Sequence, residues 1–580
     1  MTDLSQKADD NTYEKLRQNI IKIIEGFCTD VFNHHAITVT PPSNNTHGDL
    51  ACNALLIAAK ALGQKRSEAI ETIKLKLPAC EDILKIDIIG PGFINIFFKP
   101  TYWQKQLKKV LSMKENFGHT LEKNGSKINI EFVSTNPTGP LHVGHGRSAV
   151  LGDTLARILS ACGYDVTKEY YINDAGNQVN HLAASTHLRY LETLGEKINA
   201  SQFTADMYGG DYLIPLGQHI AKIDGKKWHK WDQETLVYFR KTSVDYLMEG
   251  IKNDLNLLNI EFDIFTSEQK LIDEERVKQA VDYLQKQGYL YRGFLDKPLG
   301  HDGEDYEARE QLLFKTTDFG DDKDRALFKS DGTYTYFASD IAYHYDKYKR
   351  GFDACIDVWG ADHIGYVQRL KAATKAIANK DLEIVIAQMV NFLEDGKPYK
   401  MSKRAGTFVT LREVIEDIGA DSFRFMLLSR QHDTKYDFDF HIVREQSKDN
   451  WVFYVQYAYA RICSVKRRFQ ELWPDKNFTN EYLEYLTWDN EFSIIKLVND
   501  FPRHVLLAAQ HREPHRLVHY LYDLACAFHT LWSEGRAKEY RFIEPDQFEL
   551  TCARLCLLEA IGFTIKSGMT MLGVSLKEQM

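Results

Sequence analysis

The stretch KINIEFV (residues 127–133), STNPTGPL (134–141), HVGH (142–145) and GRSAVLGDTLARILSACG (146–163) decides the fold. Ile128, Ile130 and Phe132 alternate with Asn129, Glu131 and Val133, the two-residue period of a strand with two different faces. After the HVGH turn, Leu151, Leu155, Ile158, Leu159 and Cys162 recur at helical spacing, and Gly163 ends the run. A further apolar strand is expected at 166–172. Strand, helix and strand at this spacing make a βαβ unit, hence a parallel sheet of Rossmann type. The sheet is expected to resume around 333–338, 354–359 and 384–390, with 180 to about 290 a largely helical insertion.

A strand end feeding a helix N-terminus offers free N–H groups and the positive end of a dipole to an anion. Gly144 lets a ligand approach the backbone, since no Cβ intervenes. His142 and His145 can donate hydrogen bonds to phosphate oxygens as charge shifts during attack at an α-phosphorus. Far along the chain stands Lys400-Met401-Ser402-Lys403, in a segment with four cations bracketed by Gly396 and Gly406. The glycines suit hinges of a loop closing over ATP, and lysine is a compact charge for a leaving pyrophosphate. Gly360 and Asp362 follow another expected strand, where a carboxylate commonly accepts from ribose hydroxyls. Together these motifs point to adenylation of a small carboxylic acid.

A chain of 580 residues and 67.0 kDa is too long for one core, so roughly three to four domains are expected. Residues 1 to about 118 read as a small α+β unit, with a helix through Leu50–Leu62 and a strand-like run from Ile86 to Phe98 broken by Gly90-Pro91-Gly92. The sheet domain takes 119–390. A connecting part, 391–449, holds KMSK, and Thr410 with Glu413 has the spacing of a capping box. From Thr410 the pattern is helical to the end, with an all-α bundle over 450–580. The fold class is thus α/β multidomain. The net charge of −9 opposes indiscriminate nucleic-acid binding but leaves room for a local basic surface. Scattered cysteines without a CxxC pair, no signal-peptide layout and no apolar run near ~20 residues indicate a cytoplasmic, reduced protein with no membrane span.

HVGH and KMSK on such a sheet resemble the class I aminoacyl-tRNA synthetases, and the finer match is to the bacterial arginyl-tRNA synthetases. The stretches that carry it span nearly the whole chain. They include HGDLACNALLIAAK, GPGFINIFF, EFVSTNPTGPLHVGHGRSAVLGD, YYINDAGNQV, VWGADHIGYVQR, KMSKRAGTFVTL, NWVFYVQYAYARI and GMTMLGVSLKEQM. The resemblance implies an N-terminal domain that contacts the tRNA outer corner and a C-terminal bundle that reads the anticodon. It also implies two-step chemistry on arginine, ATP with Mg2+, and tRNA(Arg), usually by a monomer, with the first step requiring bound tRNA. His142, His145, Lys400 and Lys403 are then the catalytic set, and Gly144, Gly360, Asp362, Met401 and Ser402 join His142, His145 and Lys403 around ATP. The arginine pocket maps to Glu131, Ser134, Thr135, Asn136, His145, Tyr336, Asp340 and His363. A guanidinium offers five N–H donors in a plane, best met by carboxylates and a phenol. Glu131 lies on the polar face of its strand and is expected to face a cleft. The other reading of Asp340 is a helix N-cap.

Some relatives carry glutamine where His363 stands. Others have a lysine just before their HxGH and lack the second lysine of KMSK; here 136–141 hold none and Lys403 is present. Rival readings are a class I synthetase of another specificity, a nucleotidylyltransferase, and a non-catalytic RNA-binding relative. The second keeps the chemistry but changes the acceptor, in chains that are generally much shorter, and the third needs neither motif. His511, His515 and His519 mimic a metal-binding helix face, but Pro514 fits a first turn and leaves His511 outside it. No dedicated metal cage is visible. Cys552 and Cys556 read as small buried side chains, Lys466-Arg467-Arg468 as a solvated face or a phosphate contact, and most of Phe453, Tyr454, Tyr457 and Tyr459 as core.

Overall fold

A computed structural model describes residues 12–28, 30–42, 44–77, 81–294, 310–399, 409–537 and 540–580. Its central sheet has five parallel strands in the spatial order Glu383–Ala387, Ala354–Gly360, Lys127–Phe132, Asp165–Ile172 and Ile264–Ser267. Lys127–Phe132 is the middle strand, and both of its faces are covered. Ile128, Ile130 and Phe132 pack with Leu151, Leu155, Ile158 and Leu159 of the motif helix Gly146–Ala161. The other face meets the helix Tyr336–Lys349. The polar half of the alternation is therefore buried, and it is charged. In register across three strands stand Asp357, Glu131 and Glu169, so their side chains share one face. His344, Lys347 and Arg350, spaced three apart at the end of the covering helix, lie against that row.

Several expected elements change. The Thr-Tyr alternation at 333–338 is not a sheet strand: the Thr335 side chain accepts from the Ala338 N–H and starts the helix Tyr336–Lys349. Asp340 therefore lies inside that helix, not at its N-cap. The 384–390 run divides into Glu383–Ala387, in the main sheet, and Val390–Glu394, which pairs with Lys397–Pro398 and Tyr436–Asp439 in a second sheet. The 436–439 strand also interrupts the helical run expected from Thr410 onward. Within the largely helical insertion, Ile264–Ser267 returns as an edge strand of the central sheet. Near the N-terminus, Leu50–Cys52 is a strand before its helices begin, and Ile83–Ile89 pairs antiparallel with Phe93–Phe98.

The C-terminal part is helical among the described residues, through Trp451–Leu472, Asp489–Asn499, Phe501–His511, His515–Ala537 and Phe548–Met571. Arg424 locks it to the sheet. Its fully buried guanidinium donates to Asp153 Oδ2 of the motif helix at 2.7 Å, to the Leu258 carbonyl of the insertion at 2.7 Å and to the Leu572 carbonyl at 2.9 Å. Asp153 also receives Arg157 at 2.7 Å and Lys168 at 3.2 Å. Burial by itself lifts the Asp153 carboxyl, but Arg424 and its companions outweigh that and hold it below the usual range. The Arg147 guanidinium ties the start of the motif helix to the carbonyls of Gln388, Gln431 and Thr434.

Removing the shared carboxylate leaves a buried cation without its charged partner, a class of change that costs about 3–5 kcal/mol. Asp153→Ala is expected to lower the urea midpoint accordingly; a loss under about 1 kcal/mol would show that the three cations rely on other partners.

Candidate active site

At the carboxyl end of the middle strand, Val133 (φ 67°) and Ser134 (φ 41°) both adopt left-handed backbone. For a β-branched residue this is costly, and such strain persists only where neighbours enforce it. Here the Tyr171 N–H donates to Ser134 Oγ at 3.1 Å, and the Tyr170 hydroxyl donates to the Thr135 carbonyl at 3.0 Å. The exposed Asn136 donates from Nδ2 to Gln178 Oε1 at 2.9 Å. Ser134, Thr135 and Asn136 are thus fixed along the sheet's carboxyl edge.

The chain then reaches HVGH, a short 3-10 turn leading straight into the motif helix. The rings of His142 and His145 stack, with centroids 3.5 Å apart. The His142 N–H points to His145 Nδ1 at 3.4 Å, so the neutral ring carries its proton on Nε2 and can donate from there. Burial, with His142 adding, pushes the His145 pKa down to about 3, and burial lowers that of His142 too. Both are neutral donors at pH 7. A Cβ at Gly144 would lie 2.9 Å from the His142 ring, so close ring packing also demands glycine here.

Backbone bonds tie this turn to the far motif. The Val143 N–H donates to the Val409 carbonyl at 3.0 Å, and the Leu411 N–H donates to the Leu141 carbonyl at 2.8 Å, with His142 and Thr410 bridged antiparallel between them. The capping box at Thr410 and Glu413 then starts the helix Leu411–Ile418. On the other side, the Tyr399 N–H donates to the Phe392 carbonyl. Lys400, Met401, Ser402 and Lys403 lie outside the described residues. Their flanks are placed, and Lys403 is six residues from Val409, a tether of at most about 20 Å.

Gly360 ends its strand beside Asp362, whose Oδ1 would lie 2.4 Å from a Cβ at that glycine. Asp362 and His363 are exposed and face each other at 3.4 Å. The Asp362 charge acts on His145, which puts the two in one neighbourhood.

The remaining predicted residues gather around an acidic recess. Asp340 Oδ2 accepts from the Tyr366 hydroxyl at 2.6 Å. Burial, with Glu268 and Glu131 adding and the Tyr366 bond and His344 opposing, raises the Asp340 pKa to about 7. Tyr336 is exposed on the same helix one turn earlier, its hydroxyl close to Gly176. Glu131 departs from expectation: it is buried, and its Oε2 accepts from Lys347 Nζ at 2.6 Å rather than opening freely to a cleft. The reason is the covering helix, which sets a lysine over its strand. Residues missed from sequence complete the recess. Glu268 Oε2 and the Tyr171 hydroxyl are buried with no hydrogen-bond partner among the described residues. The charges of Glu268, Asp340, Glu131 and Asp174 all bear on Tyr171. A helix stripe was the available signal, because Tyr336, Asp340, His344 and Lys347 follow at spacings of four, four and three. Glu268 offered none.

Such a group, with the carboxylates of Asp340 and Glu268 and the unsatisfied Tyr171 phenol, suits a planar cation carrying several donors. Comparison with known proteins agrees. The family model described as tRNA synthetases class I (R), catalytic domain, matches residues 106–433. Arginyl tRNA synthetase N terminal domain matches 14–98, and DALR anticodon binding domain matches 455–580. Arginine–tRNA ligase of Brucella anthropi is 45% identical over 554 residues, covering 94% of each chain. That of Nitrobacter winogradskyi is 47% identical over 559 residues, covering 94% of this chain and 93% of its own. The chain belongs to the class I arginyl-tRNA synthetases. Charging of tRNA with arginine, the family's reaction, is its activity. The Thermus thermophilus arginyl-tRNA synthetase structure shares the fold, with a TM-score of 0.71 at 19% identity over 98% of this chain and 100% of that one.

Several other features resolve as structure. His511 ends one helix and His515 begins the next, while His519 Nε2 donates to the Ser429 carbonyl. Cys552 and Cys556 are buried free thiols. Lys466 and Arg468 pair with Glu559 and Glu471, and Arg467 donates to the Glu578 carbonyl. Phe453, Tyr454, Tyr457 and Tyr459 are half-buried rather than core. No helix among the described residues is long and apolar enough to cross a membrane.

Only the ionised form of Asp340 would pair with a guanidinium, so a pocket built on it is expected to lose arginine affinity as pH falls through about 7 and to retain it above that pH. Calorimetric titration of this synthetase is expected to show arginine affinity falling toward roughly tenfold per pH unit below that point, a dependence that Asp340→Asn removes. A wild-type affinity flat across this range would take Asp340 out of the pocket.

Proposed function

We propose that the chain charges tRNA(Arg) in two steps at this site, and that the residues around the HVGH turn and the acidic recess divide the work. In the first step the arginine carboxylate attacks the α-phosphorus of ATP, giving arginyl-adenylate and releasing pyrophosphate. In the second, a hydroxyl of the tRNA 3′-terminal adenosine attacks the aminoacyl carbon and AMP leaves. Mg2+ arrives with ATP rather than in a protein cage. The neutral His142 and His145 donate to phosphate oxygens as negative charge builds, with Gly144 giving close approach. Lys400 and Lys403, with Met401 and Ser402, close over the departing pyrophosphate. Asp362, beyond Gly360, takes the ribose hydroxyls.

Asp340 and Tyr336 hold the guanidinium, with Glu268 as a further acceptor. Ser134, Thr135, Asn136, the outer oxygen of Glu131 and His363 orient the amino acid's polar end. The C-terminal bundle and the N-terminal unit hold the tRNA. The enzyme works as a cytoplasmic monomer. The observation that supports this reading is the pair of backbone bonds joining Val143 to Val409 and Leu141 to Leu411, since they fix Val409, six residues after Lys403 in sequence, beside the HVGH turn.

Pyrophosphate exchange into ATP, run with each of the twenty amino acids with and without tRNA, is expected to respond to arginine alone and to need tRNA. Exchange driven by another amino acid would replace the specificity. Lys403→Ala is expected to depress adenylate formation by about 100-fold or more while leaving arginine binding intact in calorimetry. An equal loss of arginine affinity would contradict its placement over pyrophosphate. Asp340→Ala is expected to raise the KM for arginine, with little change in that for ATP.

A further inference from the structure

Behind the recess lies a second acidic group, and it is already filled. One ligand atom each of Glu131, His344 and Asp357 lies within 4.8 Å of the others, a spacing able to grip a cation. The chain supplies that cation itself. Lys347 Nζ sits 2.6 Å from Glu131 Oε2 and 3.0 Å from Asp357 Oδ1, over the ring of Tyr343 at 4.3 Å, and the side chain is wholly buried. His344 completes the set, donating from Nε2 to Asp357 Oδ2 at 2.9 Å and from Nδ1 to the Asp340 carbonyl at 2.9 Å. Burial lifts the Asp357 carboxyl, but Lys347 and His344 more than reverse this and hold it at about 2.

The two acidic groups are neighbours. His344 and Lys347 lie beyond Asp340 on the same helix, by roughly 6 and 10 Å along its axis. Tyr171 stacks on Tyr343 at 4.4 Å, one ring beside the outer carboxylates and the other beneath the lysine. The outer group retains an unsatisfied acceptor, Glu268 Oε2, while the inner one is held by a compact ammonium.

We propose that Lys347 is a specificity-determining positioning residue: its ammonium fills the inner cation position between Glu131 and Asp357, so that only the outer acceptors, Asp340 and Glu268, are left to a substrate side chain. This rests on the arginine reading of the recess. A lysine or ornithine side chain ends in a point charge with three donors, the group that the inner carboxylates would hold best. With that position taken, such a substrate is left to the outer acceptors, Asp340 and Glu268, and its point charge leaves some of them unpaired. Buried unpaired polar groups are what make discrimination strong. Lys347 also fixes which oxygen of Glu131 remains for the substrate.

The test uses the full-length enzyme with tRNA and reads kcat/KM for arginine, lysine and ornithine in adenylate formation. Lys347→Ala is expected to raise the KM for arginine and to lower the preference for arginine over lysine or ornithine at least tenfold. Added propylammonium, the missing part of the side chain, is expected to restore the preference, whereas the neutral propanol is not. Lys347→Met, close to isosteric and uncharged, carries the test if the alanine variant does not fold, and it must relax the preference too. An unchanged preference in a folded variant, or equal rescue by propanol, overturns the proposal. Failure of the wild-type enzyme to activate arginine would instead overturn the reading on which the proposal rests.

Discussion

Two main-chain hydrogen bonds hold the catalytic arrangement together. Val143 to Val409 and Leu411 to Leu141 form a short antiparallel bridge between segments separated by most of the sheet domain. Side chains can turn away from one another, but backbone groups paired in this way fix the relative path of both segments. The bridge begins the motif helix on one side and the Thr410-capped helix on the other.

Around that bridge the fold places rigid supports. Arg147 leaves the first turn of the motif helix and Asp153 its middle. Arg147 grips the carbonyls of Gln388, Gln431 and Thr434, and Asp153 holds Arg424, which in turn reaches the insertion and the C-terminal bundle. The part matched by the anticodon-binding family model is thus joined through buried charge to the helix that bears HVGH. On the opposite face of the sheet, the row Asp357, Glu131 and Glu169 meets His344, Lys347 and Arg350, fixing the helix that presents Tyr336 and Asp340. The HVGH helix and the helix carrying Tyr336 and Asp340 are supported from different faces of one sheet.

Much of this was legible in the chain because it is written in local periods. Alternation at 127–133 followed by helical spacing at 151–162 yields strand, turn and helix without knowledge of the rest. HVGH and KMSK are recognisable because phosphate chemistry needs specific residue types at specific turns. The misread elements share one physical feature, a pattern that tertiary pairing or a cap overrides. Thr333 to Ala338 alternates like a strand, yet the Thr335 cap starts a helix there. Tyr436 to Asp439 sits in a helical run but pairs with Val390 to Leu393. Glu131 shows a polar strand face, but sequence cannot reveal that a lysine 216 residues away caps it. Glu268 was invisible for the same reason: its role depends on the edge strand that precedes it joining the central sheet.

The central claim is that the HVGH histidines and the Lys400–Lys403 segment act on one triphosphate. A double-mutant cycle on single-turnover adenylate formation, comparing His142→Asn, Lys403→Ala and both together, tests it directly. Groups sharing the charge of one transition state are expected to couple by about 1 kcal/mol or more, so the combined loss differs from the product of the single losses by at least fivefold. Strictly multiplicative losses would show that the two motifs serve separate events, and the account of the site would fail.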